Sequence, residues 1–425
     1  MLDIQLIRDN PEKVKKGVEK RLFKEVTLID EALKFDEERR KLLIEIEGLR
    51  AQRNQAAKTK DIEKGKKIKK ELSEKEPKQK VVEDRLKETL YSIPNIPLED
   101  VPEGPEENKK FVRKNAEPKK FDFTPKEHLD LGVKLGIIDI QRASKVSGSR
   151  FAYLKGDGVL LELALVNFAI EKLTKKGFTA VFPPMLIKKE ITDELGYWHG
   201  GGNQNYYYVL DYEKGGGGKE LQNPLYLVGT GEHSLVPMHK DEILEEKELP
   251  KKYVAFSGCF RREAGSYGKD TRGILRVHQF DKVEMVEFVK PEDDQKEHEA
   301  MLSYSEELMQ ELGLPYQVVV LAAGDMGFPT AKTYDIETWL PGQNKYRETH
   351  SISTTTDYQA RRLDTRYKSK DGNRFVHILN GTAFAIGRTI IAILENYQQE
   401  DGSVLIPEVL QKWVGKDKIS IRDVK

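Results

Sequence analysis

Apolar residues recur with a seven-residue period through the N-terminal part of the chain. The first run is carried by Leu28, Phe35, Leu42 and Leu49, with Ala32 and Ile46 at the four-residue offsets. A second run with the same spacing holds Ile68, Leu72, Val82 and Leu86. Such a heptad pattern is typical of a two-stranded coiled coil. We therefore predict an antiparallel helical hairpin over about 28–90, whose arms of about 30 residues each reach about 45 Å.

The apolar seam of this hairpin is interrupted in both arms. Arg39 and Arg53 take apolar slots in the first arm, and Pro77 stands between Lys75 and Gln79 in the second. A proline inside a helix removes one backbone hydrogen bond, so we expect a kink in the second arm at this point.

Beyond residue 120 the pattern changes to mixed strand and helix signals. Amphipathic helices are predicted at 159–176 and 292–312. Strands are predicted at 178–182, 225–228, 254–256, 279–286, 317–321 and 333–338, with glycine-rich turns around 200–202 and 215–218. Most of these strands are not separated by helices. They therefore favour an α+β fold in which helices flank an antiparallel β-sheet.

Prolines mark the boundary between the two patterns. They stand at Pro94, Pro97, Pro102, Pro105 and Pro118. Prolines at this density are typical of a linker. We predict an N-terminal domain at 1–100 that carries the helical arm, a linker at 101–120 and a larger domain at 121–425.

The charge composition narrows the possible functions. The 425 residues include 71 Lys and Arg and 71 Asp and Glu. This neutrality argues against a generally basic nucleic-acid binder, so any RNA contact must come from local patches. Cys259 is the single cysteine, so no disulfide framework can form. No apolar stretch is long enough for a membrane span, and residues 1–8 do not look like a signal peptide. We expect a soluble, cytoplasmic protein.

A local basic patch lies at the predicted tip of the hairpin. Between residues 58 and 70 it holds Lys58, Lys60, Lys64, Lys66, Lys67, Lys69 and Lys70. Asp61 and Glu63 are the acids of this stretch. Most lysine-rich turns are simply solvated. Here the charge has one sign and ends a long projecting arm in a neutral protein, which favours contact with an RNA backbone.

The candidate chemistry centres on an arginine-bearing hairpin. Its outgoing limb ends in Phe260, Arg261, Arg262 and Glu263, and the following stretch to Gly273 is rich in glycine and charge, which predicts a long loop. The returning strand places Arg276, His278, Phe280, Lys282 and Glu284 on one face. Burying such a face is costly unless it lines a ligand site. Arginine, an aromatic ring and a carboxylate together suit an anionic nucleotide.

Three segments in order along the chain resemble the sequence motifs of the class II aminoacyl-tRNA synthetases. Residues 177–184 resemble motif 1, the arginine-bearing hairpin resembles motif 2, and residues 380–388, which open an apolar helix, resemble motif 3. Within that class, residues 230–232, 347–351 and 359–362 are similar to seryl-tRNA synthetases of the bacterial type. The resemblance extends over nearly the whole chain and implies the class II fold.

The resemblance implies roles for particular residues. The catalytic residues would be Arg261, Glu263, Arg276 and Arg388. ATP would be bound by Arg261, Arg262, Glu263, Val277, Phe280, Glu348, Thr349, His350, Ser351 and Arg388, with the adenine between Phe280 and Arg388. An isolated Arg-x-Glu is more often a simple salt bridge. The accompanying motifs favour the nucleotide interpretation.

The resemblance also implies a serine pocket and a metal. The pocket would be formed by Thr230, Gly231, Glu232, Glu284, Asn380 and Thr382. Which of its two carboxylates meets the serine ammonium is left open, and the serine carboxylate would be met by Arg261 or by a backbone donor. Mg²⁺ bound with ATP would be held by Glu348 and Ser351. Eight histidines and one cysteine give no zinc-binding spacing, so no zinc is expected.

The function that follows is serine–tRNA ligation in two steps, through seryl-adenylate. The partners implied are L-serine, ATP and tRNA(Ser), with tRNA(Sec) where that tRNA exists. The family forms homodimers that bind tRNA across subunits, with the lysine-rich tip on the variable arm of the tRNA. Two alternatives stay open: a non-catalytic RNA-binding relative, and a ligase that loads serine onto a carrier protein. Both are disfavoured because the nucleotide residues and the helical arm are all present.

Overall fold

Two long helices dominate the first 97 residues. The computed structural model describes residues 1–197, 202–209, 224–264 and 272–421, and its N-terminal unit is Met1–Pro97. The helices of this unit are α1 (Ile4–Asp9), α2 (Pro11–Lys20), α3 (Leu28–Lys58) and α4 (Ile62–Tyr91). Helices α3 and α4 pack against each other through Ile46, Ile68 and Leu72. The predicted hairpin is thereby confirmed, and α4 continues through Pro77.

A buried carboxylate explains the arginine in the apolar seam. Asp36 is fully buried and accepts hydrogen bonds from Arg39 Nη2 at 3.1 Å and Arg40 Nε at 3.0 Å. Arg8 Nε of α1 lies 3.2 Å from the same carboxylate. A buried acid without such partners would be costly. Arg39 therefore neutralises an acid of its own helix instead of breaking the packing.

An eight-stranded sheet forms the centre of the second unit, Leu98–Lys425. Its strands in spatial order are β1 (Lys110–Lys114), β11 (Tyr316–Val320), β12 (Lys332–Leu340), β13 (Lys345–Thr354), β16 (His377–Ala385), β10 (Gln279–Val289), β9 (Lys251–Phe260) and β4 (Thr179–Val181). Every neighbouring pair is antiparallel except β4 with β9, which is parallel. The predicted α+β class is confirmed.

The edge strand β1 lies inside the stretch that we assigned to a linker. It pairs with β11, so residues 110–114 belong to the sheet of the second unit. Its five residues are all exposed and three of them are basic, which gives no apolar periodicity from which a strand could be predicted.

Most helices cover one face of the sheet, where the main core lies. They are α5 (His128–Lys134), α6 (Ile140–Ser147), α7 (Asp157–Lys175), α10 (Asp294–Glu311), α12 (Ile386–Asn396) and α13 (Glu408–Val414). Three short helices, α8 (Lys189–Leu195), α9 (Glu232–Leu235) and α11 (Tyr358–Leu363), lie on the opposite face. The main core lies where α7, α10 and α12 meet the sheet, with Phe168, Met301 and Ile390 fully or almost fully buried there. The predicted helices at 159–176 and 292–312 are α7 and α10.

A second core lies on the opposite face. It contains Val286 and Phe288 of β10 together with Leu195, Leu235 and Tyr367. Two small sheets lie beside it, one of β5 (Leu186–Lys188), β6 (Tyr208–Val209) and β7 (Leu225–Leu227) and one of β8 (Ile243–Glu245), β14 (Arg366–Ser369) and β15 (Gly372–Phe375). Two further strand pairs, β2 (Ile138–Asp139) with β3 (Tyr153–Leu154) and β17 (Val404–Leu405) with β18 (Lys418–Ile419), pack on the main core instead. The predicted strand at 225–228 is β7, which pairs with β5 and β6 and not with the large sheet.

Candidate active site

The candidate site lies on the same face of the central sheet as the second core. We call this the polar face. On β10 the residues with even numbers point to this face: Phe280, Lys282 and Glu284 lie in line with Val286 and Phe288 of the second core. Val283 and Met285 point the other way, into the helix-covered core. The alternation predicted for the returning strand is therefore present.

The pairing of β12 with β13 contains a β-bulge. Ile336 lies opposite His350, but the next residue, Glu337, lies opposite Glu348. Thr349 is the extra residue, and its hydroxyl is 3.2 Å from the carbonyl oxygen of Ile336, to which it donates. A bulge of this kind changes the face to which the following side chains point.

This bulge brings the two predicted metal ligands together. Glu348 and Ser351 are three residues apart, and in a regular strand they would lie on opposite faces. With Thr349 bulged, both lie on the polar face, where Ser351 is opposite Asp335 and Glu348 is opposite Glu337.

A second register shift affects the predicted serine pocket. In the pairing of β10 with β16, Val283 lies opposite Phe384 while Glu284 lies opposite Thr382, so Ala383 is the extra residue. Phe384 thus enters the helix-covered core, and Thr382 lies beside Glu284. The Thr382 hydroxyl is 3.5 Å from Oε2 of Glu284.

Three of the predicted ATP residues have side chains that point into the core. Val277, Thr349 and His350 are buried, and the His350 ring is 2.8 Å from the Thr349 hydroxyl and 3.0 Å from the Ala383 carbonyl oxygen. Burial lowers the pKa of His350 to about 4, so the ring is neutral. These three residues could meet a nucleotide only through their backbone.

Arg261 stands where the outgoing limb leaves β9. Its backbone N–H donates to the carbonyl of His278 at 2.9 Å, which closes the hairpin. Its Nε donates to the carbonyl oxygen of Gly229 at 2.9 Å, and its guanidinium carbon lies 5.4 Å from the centre of the Phe280 ring. This hydrogen bond and the cation–π contact hold a positive charge beside an aromatic surface.

Glu263 and Arg276 join the two limbs of the hairpin. Arg276 Nη1 is 2.8 Å from Oε2 of Glu263. The φ angle of Glu263 is +53°, in the left-handed region that is uncommon for a residue with a side chain. Such a conformation is costly and is typical of functional sites. The preceding residue, Arg262, is fixed by its backbone N–H, which donates to the carbonyl of Asn205 at 2.9 Å.

The predicted serine pocket contains a lysine that the sequence analysis did not assign. The ammonium of Lys282 pairs with the carboxylate of Glu284, and its Nζ donates to the Thr230 hydroxyl at 3.1 Å. Burial raises the pKa of Glu284, while Lys282 and then Arg261 act against that rise. The alternation of Phe280, Lys282 and Glu284 in the sequence predicted that Lys282 lies on this face. It did not indicate a role for the side chain.

Glu232 is held by neutral donors. The Tyr197 hydroxyl donates to both carboxylate oxygens at 2.9 and 3.0 Å, and Gln359 Nε2 donates to Oε1 at 3.0 Å. Burial is the main cause that raises the pKa of Glu232, to about 7, and Glu284 adds to the rise. Tyr197 carries no sequence signal. Gln359 belongs to a segment that supported the family resemblance, but we gave it no role.

Two further predicted pocket residues complete the floor. Asn380 is buried opposite Val286, and its side-chain nitrogen makes no hydrogen bond with the described part of the chain. A Cβ added to Gly231 would lie 3.3 Å from Cβ of Glu284 and 3.4 Å from Oγ of Ser257. The backbone at Gly231 therefore packs closely on the pocket floor.

Arg388 and Glu348 form the other charged pair of the site. Arg388 Nη1 lies 3.0 Å from Oε1 of Glu348 and donates to its carbonyl oxygen at 2.9 Å. Burial alone would raise the pKa of Glu348, but Arg388, followed by Arg261 and Lys282, lowers it overall. Glu348 is therefore an anion at neutral pH, as a metal ligand must be.

Asp335 adds to Glu348 and Ser351 a second carboxyl group that we did not predict. It is buried, and its Oδ1 makes no hydrogen bond with the residues that the structure describes. Burial and then the charge of Glu348 raise its pKa. Among the described residues, no cluster of three or more His, Cys, Asp or Glu side chains is spaced to hold a metal by itself. Two acids and a hydroxyl nevertheless suit Mg²⁺, which takes one or two protein groups and completes its shell with phosphate and water.

The seven lysines of the basic patch are all exposed. Lys58 ends α3 and Lys60 lies in the turn, with a φ of +57°. The other five, from Lys64 to Lys70, lie on the first turns of α4, so most of the patch is helical and not a loop. The described part of the chain contains no helix with the length and apolarity of a membrane span. The predicted glycine-rich turn at 215–218 and most of the loop between the hairpin limbs, residues 265–271, lie outside the described residues.

Two family models match the chain. The first is the seryl-tRNA synthetase N-terminal domain, over residues 1–97. The second is the tRNA synthetase class II core domain (G, H, P, S and T), over residues 211–397. The first match coincides with the N-terminal unit, and the second lies within the unit Leu98–Lys425.

Full-length relatives carry the same description. The chain is 46% identical over 440 residues to a serine–tRNA ligase of Thermodesulfovibrio yellowstonii, covering 99% of this chain and 100% of the relative. It is 46% identical over 436 residues to a serine–tRNA ligase of Petrotoga mobilis, covering 99% and 100%.

Solved structures agree with the sequence comparison. The structure of a seryl-tRNA synthetase from Pyrococcus horikoshii complexed with ATP matches with a TM-score of 0.91 and 41% identity, over 100% of both chains. The structure of a cytoplasmic serine–tRNA ligase from Naegleria fowleri in complex with AMP matches with a TM-score of 0.88 and 34% identity, over 100% of this chain and 99% of that one.

Proposed function

The chain belongs to the seryl-tRNA synthetase family, and on this premise we propose which residues carry each step of serine charging. The enzyme is an ATP-dependent ligase. Serine attacks ATP to give seryl-adenylate and diphosphate, and the seryl group then passes to tRNA with release of AMP. The observation that carries the residue assignment is the row of side chains from Arg261 across Lys282 and Glu284 to Thr382 on one face of the sheet.

Arg261 is proposed to act on the transferred phosphorus. In the first step the serine carboxylate attacks the α-phosphate, and negative charge accumulates on the phosphate oxygens. A cation already held in place stabilises that charge without reorganisation. The bond from Arg261 Nε to the Gly229 carbonyl supports this role, because it fixes the side chain and leaves the outer guanidinium nitrogens for the phosphate.

The adenine is proposed to bind between Phe280 and Arg388, with Glu263 at its amino edge. Arg388 lies at the start of α12, where a cation is disfavoured by the helix dipole unless it has an anionic or π partner. Its pairing with Glu348 supplies one such partner, and the adenine would be another.

Glu232 is proposed to bind the serine ammonium, and Glu284 with Thr382 the serine hydroxyl. This assignment is supported by the different hydrogen-bond and ion-pair partners of the two carboxylates. Glu284 already pairs with Lys282, whereas Glu232 is held by the neutral groups of Tyr197 and Gln359. A site that hydrogen-bonds a substrate hydroxyl rejects the analogue without it, so alanine should be excluded strongly. We also propose that the Asn380 side-chain amide donates to the substrate, since its nitrogen has no hydrogen-bond partner among the described residues.

Glu348 and Ser351 are proposed to hold Mg²⁺. When bound, the metal would neutralise charge on the ATP phosphates and orient them. The bulge at Thr349 supports this assignment, because it brings both ligands to the face that carries the nucleotide residues.

The tip of the α3–α4 hairpin is proposed to hold the variable arm of tRNA(Ser), and of tRNA(Sec) where it exists. Seven exposed lysines within 58–70 support a phosphate contact. We place the reaction in the cytoplasm, where its tRNA substrates are used.

We propose a homodimer with tRNA bound across subunits. Motif 1 supports it. Phe182 is 73% exposed, and Val159, Leu160 and Leu163 of α7 are also exposed large apolar side chains. Exposed apolar patches on this scale mark interfaces.

The test is amino-acid-dependent exchange between ATP and diphosphate, with serine, threonine, alanine and glycine in parallel. We expect exchange with serine alone and its loss in Arg261→Ala, with the fold of that variant checked by circular dichroism. No exchange with any amino acid in folded protein with Mg²⁺ would contradict the proposal and favour the RNA-binding alternative.

A further inference from the structure

A buried histidine–carboxylate pair lies behind the nucleotide residues and has no part in the assignments above. His128, the first residue of α5, and Glu395, near the end of α12, are both almost completely buried. Nδ1 of His128 is 3.1 Å from Oε1 of Glu395, and the backbone N–H of His128 donates to the same oxygen at 3.0 Å.

The other ring nitrogen of His128 holds the arginine-bearing hairpin. The backbone N–H of Ile274, which opens the returning limb, donates to Nε2 of His128 at 3.3 Å. Nε2 is thus an acceptor, and Nδ1 must be the protonated nitrogen that donates to Glu395. The neutral tautomer is fixed by its two partners.

Glu395 extends the connection to a third segment. Its Oε2 accepts the backbone N–H of Gly342 at 2.9 Å, in the turn between β12 and β13. The strand after that turn carries Glu348 and Ser351. One carboxylate and one imidazole therefore join the β12–β13 turn, helix α12 and the returning limb. The helix and the limb carry proposed ATP residues, and the turn leads into the strand that carries others.

The returning limb in turn meets the start of α12. The Leu275 carbonyl accepts from Arg388 Nε at 3.4 Å, and a Cβ added to Gly387 would lie 3.6 Å from the Ile274 carbonyl oxygen. The next residue, Arg276, pairs with Glu263. A shift of Ile274 would therefore displace both the partner of Arg388 and the partner of Glu263.

We propose that His128 is a positioning residue for the ATP site: through the Ile274 N–H it sets the place of the returning limb against Arg388. This inference rests on the proposed assignment of Arg276 and Arg388 to ATP. It predicts an effect on ATP that is not shared by serine. In the described part of the chain, the serine pocket residues on β10 and β16 have no hydrogen bond to His128, and the pairing of these two strands holds them in place.

The experiment is steady-state exchange kinetics with His128→Asn and His128→Gln. The asparagine amide reaches the place of Nδ1, keeps the bond to Glu395 and removes the acceptor for Ile274. The glutamine amide oxygen reaches the place of Nε2 and restores that acceptor. Loss of one buried hydrogen bond predicts a rise in KM for ATP of about fivefold to tenfold in His128→Asn. We expect KM for serine within about twofold of wild type, and partial recovery of KM for ATP in His128→Gln.

The matched control is His239→Asn. His239 is also buried, with Nδ1 2.7 Å from Glu242 and Nε2 2.9 Å from the Tyr253 hydroxyl. Neither ring nitrogen is bonded to a proposed ATP residue within the described part of the chain. It should lower the melting temperature without changing KM for ATP. If His128→Asn does not fold, Gly273→Ala replaces it, since the added Cβ would lie 2.0 Å from Nε2 of His128 and would push the ring away from Ile274.

Equal rises in KM for ATP and serine, or no rise for ATP in a folded variant, would overturn the inference. A wild-type enzyme without serine-dependent exchange would instead overturn the proposed function, so the two failures are distinguishable.

Discussion

The ammonium of Lys282 is paired with the carboxylate of Glu284, two residues further along the same strand and on the same face. Both side chains are buried. The pair brings a positive charge to the floor of the proposed serine pocket, where Lys282 also donates to the Thr230 hydroxyl. Lys282 therefore links two of the proposed serine ligands.

Replacing Lys282 by methionine should leave Glu284 as an unpaired buried acid. Breaking a buried pair on one side costs about 3 kcal/mol in the free energy of unfolding, to be measured by urea denaturation. KM for serine should rise at least tenfold. In the double variant Lys282→Met, Glu284→Gln the stability should recover while serine activation does not. Recovery of both would show that the pair has only a structural role.

The affinity for serine should depend on pH through Glu232. Its pKa is raised to about 7, so the carboxylate that we assign to the ammonium is protonated below that pH and ionised above it. KM for serine should therefore fall as pH rises from 6 to 8, by up to about tenfold per unit on the acid side. Glu232→Gln should have a high KM that does not vary over this range. A wild-type profile that is flat while KM for ATP is also constant would contradict the assignment.

Asp335 should contribute to Mg²⁺ binding from the strand opposite Ser351. Its replacement by asparagine should raise the Mg²⁺ concentration for half-maximal exchange by about tenfold, the lower end of the effects seen for groups that orient metal ligands. Electron paramagnetic resonance of Mn²⁺ with a non-hydrolysable ATP analogue gives a second measurement without turnover. Glu337→Gln is the matched control, because Glu337 lies on the same face but is bonded to Lys109 and Gln317. If both variants raise the Mg²⁺ requirement equally, Asp335 has no specific role in binding the metal.

The lysine-rich tip should act on tRNA and not on adenylate formation. In the double variant Lys66→Gln, Lys69→Gln we expect serine-dependent ATP–diphosphate exchange to be unchanged. For tRNA binding, the plot of log K against log salt concentration should have a slope that is less steep by about 1.5. Lys80→Gln is the control, since Lys80 lies further along α4 and pairs with Asp84 at 2.6 Å. A change in exchange, or an unchanged salt slope, would argue against a phosphate contact at the tip.

The sequence predicted the hairpin and the arginine-bearing limbs well because both depend on local periodicity. Leu28 to Leu86 repeat at heptad spacing, and the returning strand alternates strictly from Phe280 to Glu284. In each case the residues that determine the helix or strand lie within that same segment of the chain. The edge strand at 110–114 was missed for the opposite reason, since only its pairing with β11 makes it a strand.

Tertiary contacts explain what the sequence did not reveal about the site. Glu348 and Ser351 share a face only because Thr349 bulges, and a bulge has no signature in alternation. Asp335, Tyr197 and His128 lie far along the chain from the groups that they meet, so pairing across the sheet had to be known first. Thr349 and His350 illustrate the reverse case, in which residues of a recognised motif turn their side chains into the core.

The one-signed charge at the tip of the helical hairpin has a kinetic consequence. With 71 basic and 71 acidic side chains, the chain as a whole has no net charge to draw in a polyanion. Fields of exposed charges fade beyond about 8 Å in physiological salt. We therefore expect an RNA to be attracted more strongly close to the seven lysines than by the chain as a whole. Encounters in which the RNA meets the tip of the arm should therefore lead to binding more often than others. Raising the ionic strength should slow association with tRNA more than it speeds dissociation.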